Sequence, residues 1–249
     1  MRGNRVKEKL EAGQMATVLS SHSNSGDTID LCGSLGLDGF WLEGEHGSVT
    51  WDQIGDLSRA CDLWGMSSIM RIHENEAGRI TRVLDRGVNG IVIPHVNTKE
   101  EAGRVVQSAR FAPQGKRGMF SGRRAYGDPD YFQHANEELL VVILIEEIQA
   151  VENLAEILTV DHIDVFFVAP SDLAQTMGYI GRSDHPKVQE TIDKALQQIT
   201  AAGRTAGTLV TDDILERRVN AGARMLFYSM DSWIRDGAKR LQEQVAALS

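Results

Sequence analysis

The stretch Phe40-Trp41-Leu42-Glu43-Gly44-Glu45-His46-Gly47 decides the fold. An apolar, strand-like run ends in two acids and a histidine, just ahead of a helix start at Thr50. The pattern recurs along the chain. Ser67-Ser68-Ile69-Met70 ends at Arg71, Val141-Val142-Ile143-Leu144-Ile145 ends at Glu146, and Val165-Phe166-Phe167-Val168-Ala169-Pro170-Ser171 ends at Asp172. Polar groups gathered at the C-terminal ends of successive apolar strands are the mark of a parallel β/α barrel, whose active site is built from its βα loops.

Working outward, strand-like runs are predicted at 15–20, 39–43, 68–72, 90–94, 141–146, 165–169, 205–210 and 225–230. Segments of helical period separate them. Ile54, Leu57, Cys61 and Trp64 form one apolar stripe behind a Thr50-x-x-Gln53 capping box. Ala102, Val105, Val106 and Ala109 form another behind Thr98-x-x-Glu101. Val151, Leu154, Ala155 and Leu158 make a third, and Val188, Ile192, Leu196 and Ile199 a fourth, between Pro186 and Gly203. Gly87 and Gly222 read as glycines just past helix ends. Strand and helix alternating eight times predict parallel strands joined by right-handed crossovers. The 249 residues suit one (β/α)8 TIM-barrel domain over 1–249. A long insertion at 111–140 and a C-terminal helix at 231–247 complete it. The insertion carries Lys116, Arg117, Arg123 and Arg124, and is either a solvated basic excursion, a lid, or an arm reaching a neighbouring subunit.

The formal net charge of −9 argues against a nucleic-acid partner. No apolar run is long enough for a membrane span, and the N-terminal residues lack the apolar core of a signal peptide. Cys32 and Cys61 show neither metal spacing nor a disulfide framework, so a cytoplasmic location is expected.

Glu146 and Asp172 end adjacent predicted strands, so their carboxylates should lie side by side. A hard divalent cation would relieve their repulsion, which suits Mg²⁺ or Mn²⁺, with Co²⁺ a third candidate. The competing readings are an arginine partner for Glu146 and a helix-capping role for Asp172. Arg71 offers a planar fork for a substrate carboxylate, or forms a salt bridge to Glu43, Glu45 or Glu146. His46 is suited to move protons near neutrality, or is a hydrogen-bonding loop residue. Asp85, closing a helix before Gly87, could orient His46 or be a plain helix-end acid. No lysine falls at a strand's C-terminal end, which makes a Schiff-base mechanism unexpected.

These motifs, joined by Leu84-Asp85-Arg86-Gly87, Ile93-Pro94-His95-Val96, Ala112-Pro113-Gln114-Gly115-Lys116-Arg117-Gly118 and Ala169-Pro170-Ser171-Asp172-Leu173, resemble the HpcH/HpaI aldolase family in order and spacing. That family comprises metal-dependent pyruvate aldolases related to citrate lyase β subunits, and the resemblance spans roughly residues 5–240. It implies a barrel of the phosphoenolpyruvate/pyruvate type that cleaves a 4-hydroxy-2-oxo acid to pyruvate and an aldehyde through a metal-stabilised enolate. It assigns His46 as base, Arg71 to pyruvate, Glu146 and Asp172 to the metal, Ser171 and Asp172 to the substrate site, and Asp85 as partner of the base, in part across subunits. It also implies a homo-oligomer, a hexamer built from dimers, whose last helix packs on a neighbour. The chain departs from close members at Glu43 (usually Asp), Ser48 (commonly Pro) and Leu144 (often Gln), the last placing an apolar residue in the substrate site. A decarboxylase or malyl/citryl-type lyase using the same enolate, and a non-catalytic ligand-binding barrel, are the alternative readings.

Overall fold

The computed structural model describes residues 3–248. Eight parallel strands close into one barrel in sequence order. They are β1 (Ala16–Ser20), β2 (Gly39–Glu43), β3 (Ser67–Arg71), β4 (Gly90–Ile93), β5 (Leu140–Ile145), β6 (Val165–Val168), β7 (Ala206–Leu209) and β8 (Ala223–Ser229). The helices are α1 (Arg5–Glu11), α2 (Gly26–Gly33), α3 (Trp51–Leu63), α4 (Ala77–Asp85), α5 (Lys99–Ala109), α6 (Tyr131–Glu138), α7 (Ile148–Glu152), α8 (Leu154–Ile157), α9 (Pro170–Thr176), α10 (Pro186–Ala201), α11 (Leu215–Asn220) and α12 (Met230–Ala247).

A strand buried on both faces must be apolar on both, which is why β5 reads Leu-Val-Val-Ile-Leu-Ile and is buried throughout. Its even and odd residues serve two cores. Val18, Trp41, Ile69, Val92, Val142, Leu144, Phe167 and Met225 fill the barrel interior. Phe40, Leu42, Ile91, Ile143, Ile145 and Phe166 pack outward against the helices. Both capping boxes form: the Thr98 N–H donates to Glu101 Oε2 at 3.1 Å, and the Thr50 N–H to Gln53 Oε1 at 2.9 Å. Gly87 and Gly222 adopt φ of +92° and +111°, conformations open to glycine at little cost.

Two predicted stripes are corrected. Trp64 is not a core residue. It caps α3 and is 41% exposed, its indole N–H donating to Asp30 at 2.8 Å. The segment from Val151 to Leu158 is not one helix. Asn153 separates α7 from α8 and donates to the Asn97 carbonyl at 2.8 Å, so the buried positions are Ala150, Leu154, Ile157 and Leu158, and Ala155 is exposed.

The insertion contains α6 and a short 3₁₀ turn, Arg123–Ala125. Arg117 pairs with Asp85 at 2.7 Å and Arg123 with Asp62 at 2.6 Å, while Arg123 and Arg124 both donate to the Gly87 carbonyl. The insertion is thus strapped to the C-terminal ends of α3 and α4, at the barrel face where strands begin. Both cysteines are free and buried, and no described helix is long and apolar enough to cross a membrane.

Candidate active site

β2 and β3 pair in register, with Glu43 level with Arg71. Arg71 Nη2 lies 2.7 Å and Nε 2.8 Å from Glu43 Oε2, and Nη1 lies 2.9 Å from Glu45 Oε2. Glu43 is itself fixed. Its Oε1 accepts the backbone N–H groups of Glu45 and His46 at 2.8 and 3.0 Å, and its Oε2 accepts the Trp41 indole N–H at 3.2 Å. Burial alone would raise the Glu43 pKa, but Arg71 and the two backbone donors hold it below the ordinary carboxylate value. Of the salt bridges open to Arg71, those to Glu43 and Glu45 form. The guanidinium is therefore locked in one orientation at the mouth.

Across the barrel, β5 and β6 run side by side, with Ile145 level with Val168. Glu146 follows β5 and is 1% exposed, and Asp172 occupies the first turn of α9. Asp172 makes no side-chain cap bond, and Ala169 is the capping residue. Glu146 has no arginine partner among the described residues. Its Oε1 accepts the His95 N–H at 2.7 Å. Burial pushes its pKa up to about 7, helped by the charges of Glu45 and Asp172 and opposed by His95. A buried carboxylate short of donors, beside a second acid, is a hard-oxygen pair suited to a divalent cation. No group of three or more His, Cys, Asp or Glu is arranged to hold a metal among the described residues. A cation held by Glu146 and Asp172 would therefore keep coordination sites for water or substrate oxygens.

His46 is exposed on the loop after β2, with Nε2 3.9 Å from Glu45 Oε2. Asp85 is not beside it within one chain. It ends α4 at the opposite face of the barrel, paired to Arg117. A cavity of about 260 Å³ connects most of the other predicted residues: Glu43, His46, Arg71, Leu144, Ser171 and Asp172 line it, whereas Glu146 is buried and does not. Its wall is completed by Trp41, Phe167 and Phe227, whose rings pack with Trp41 4.9 Å from Phe227 and 5.4 Å from Phe167.

Three contributors escaped the sequence reading as site residues. Glu45 is one, buried between Arg71 and the histidines. His95 is the second. It adopts φ +56°, rare outside glycine, and its ring reaches Glu147 at 2.9 Å, Glu45 at 3.4 Å and Glu146 at 3.5 Å. Burial alone would lower the His95 pKa, but the hydrogen bond to Glu147 and the charges of Glu146 and Glu45 raise it. The signal was present, because His95 stands just past a strand end like the groups that were found. The third is the aromatic wall, hidden because inward-facing core and cavity lining read alike.

The profile of the HpcH/HpaI aldolase/citrate lyase family matches residues 17–227. A 4-hydroxy-2-oxovalerate aldolase of Novosphingobium aromaticivorans is 34% identical over 89% of this chain and 88% of its own. A hydroxypyruvate/pyruvate aldolase of Roseobacter denitrificans is 32% identical over 92% of this chain and 91% of its own. Among solved structures, an HpcH/HpaI aldolase from Desulfitobacterium hafniense superposes with a TM-score of 0.87, at 28% identity over 96% of each chain.

Proposed function

The chain belongs to the HpcH/HpaI aldolase/citrate lyase family and is an aldolase, and we propose that it reversibly cleaves a 4-hydroxy-2-oxo acid to pyruvate and an aldehyde with a divalent metal bound by Glu146 and Asp172. The observation that carries this reading is the meeting, in one cavity, of a carboxylate-binding arginine, a histidine and Asp172, whose charge acts on the buried Glu146 at the end of the neighbouring strand.

Arg71 binds the carboxylate of the 2-oxo acid, its fork held by Glu43 and Glu45 so that little rotamer freedom is lost on binding. Such pre-orientation lowers the cost of reaching reactive geometry. His46 takes the proton of the 4-hydroxyl group as the carbon–carbon bond breaks, and returns one in the synthetic direction. Ser171 offers a hydroxyl to the same ligand. Trp41, Leu144, Phe167 and Phe227 exclude water from the aldehyde side. A divalent cation at Glu146 and Asp172 supplies Lewis-acid stabilisation of the charge that develops on the substrate.

A coenzyme thioester needs a basic groove, and Arg117, Arg123 and Arg124 are the candidate cluster for one. Their side chains are 5%, 19% and 11% exposed and engaged with Asp85, Asp62 and Gly87, which disfavours a malyl- or citryl-type lyase. We also propose a homo-oligomer, hexameric as the resemblance implies. Beyond its first turn, where Met230 packs on the core and Trp233 stacks on Tyr228, α12 has no fully buried residue and exposes Ile234 and Leu241. An apolar cavity of about 250 Å³, between Leu19, Leu37, Val210 and Trp233, lies open beside its start. In an assembly, a role for Asp85 toward His46 is one between subunits. The test is a panel of aldehydes with pyruvate, with and without Mg²⁺, Mn²⁺ and Co²⁺. Adduct formation only with metal supports the reading, and none with any aldehyde contradicts it.

A further inference from the structure

A third histidine is held at the barrel mouth by a network that the chemistry above does not use. His22 follows β1, and its Nδ1 lies 2.6 Å from Asp231 Oδ2, in the first turn of α12. Asp231 is anchored from several directions. Its Oδ2 also accepts the His22 backbone N–H at 3.1 Å and the Ser229 hydroxyl at 3.2 Å, and its Oδ1 accepts the Ser21 hydroxyl at 3.3 Å. Burial alone would raise the Asp231 pKa, but the His22 ring and backbone hold it low. The carboxylate takes Nδ1–H, leaving Nε2 for a ligand. The His22 side chain is 83% exposed, so the network fixes a ring that solvent alone would leave mobile.

Register places this ring. Ser20 is level with Trp41 on one side and Ser229 on the other. Trp41 and Phe227 line the cavity, and His22, two residues beyond Ser20, follows β1 at the same end of the barrel without itself lining that cavity. β1 lies four strands from β5 in the closed barrel of eight, directly opposite the Glu146 strand. β1 thus ends on the side of the mouth away from Glu146.

We propose that His22, positioned by Asp231, is a specificity residue that recognises an oxygen acceptor, best a carboxylate, on the far end of the aldehyde-derived half of the substrate. The apolar wall takes the intervening carbons and the imidazole takes the terminus. This rests on the aldolase reading and deepens it.

The test compares 4-oxobutanoate with butanal as acceptors for pyruvate, in wild-type enzyme and in the His22→Ala and Asp231→Asn variants. A charge-assisted hydrogen bond should make His22→Ala lower the kcat/KM ratio of the acid to the apolar aldehyde by about tenfold, mainly through KM of the acid. Asp231→Asn should lower the ratio by less. An unchanged ratio in His22→Ala, or equal losses on both aldehydes, overturns the assignment. Exchange of the pyruvate methyl protons in D₂O is followed in wild-type enzyme alongside. Its absence counts against the aldolase reading, whereas its presence with an unchanged ratio counts against His22 alone.

Discussion

Glu43 and Arg71 face each other across β2 and β3 as register partners, joined at 2.7 and 2.8 Å. The pair is nearly buried, so removing one charge leaves the other poorly solvated. Glu43→Gln should cost about 3 kcal/mol of stability, the usual scale for breaking a buried ion pair, and should raise KM for pyruvate more than it lowers kcat. The Glu43 pKa is held below its unfolded value, so the stability it contributes is present above that value and lost as pH falls through the folded one. Urea unfolding at stepped pH values from 7 downward should show the gap between variant and wild type held to the ordinary carboxylate range and closing below it. A gap that stays constant through all the acid values at which both proteins fold would mean that the pair is not the source of the difference.

Glu146 gives the opposite sign. Its folded pKa is raised to about 7 before any cation binds, so the folded chain holds this proton more tightly than the unfolded chain. The associated stability is present at low pH and is lost as pH rises through about 7. A metal must displace the same proton, so Mn²⁺ affinity measured by calorimetry should increase from pH 6 to pH 8 with proton release. Glu146→Gln and Asp172→Asn should each lose metal while circular dichroism shows the barrel retained, since mouth residues serve function more than stability. Wild-type affinity in both variants would show that the ligands lie elsewhere.

His46→Ala should slow cleavage by about 10²–10⁴-fold, the range for losing a general acid–base group. Pyruvate binding should persist through Arg71. Near-normal turnover would move the proton-transfer role to another group at the mouth, of which His95, ringed by three carboxylates, is the first to test.

Leu144 faces the cavity, two residues before Glu146 on the same side of β5. An apolar wall discriminates weakly, whereas a site built to bond a hydroxyl can reject its deoxy analogue by about 10⁴-fold. The enzyme should therefore accept aldehydes that are apolar beside the carbonyl, and Leu144→Gln should raise kcat/KM for glycolaldehyde relative to acetaldehyde. An unchanged ratio would remove Leu144 from the aldehyde subsite.

The barrel was legible because its strands are short, apolar and spaced by capped helices, so β2, β3, β5 and β6 could be placed and their terminal groups read as one mouth. Glu43, His46, Arg71, Ser171 and Asp172 do share a cavity. What could not be read depends on distances between elements. Asp85 ends a helix, and helices in this fold run opposite to the strands, so it lands at the far face. Glu45 gains its place from a tight turn after β2, and His95 from a left-handed backbone that no local pattern announces. The single residue Asn153 broke a helix whose apolar spacing looked continuous.

The central claim is that a cation on Glu146 and Asp172, and no lysine, supports carbon–carbon cleavage. The most direct measurement follows pyruvate release from a 4-hydroxy-2-oxo acid after exhaustive treatment with EDTA, then after adding Mn²⁺ or Mg²⁺, with a borohydride-treated sample in parallel. The account predicts that activity falls to background in chelator, returns with metal, and leaves no substrate attached to the protein by borohydride. Full activity in EDTA together with covalent trapping of substrate would contradict it.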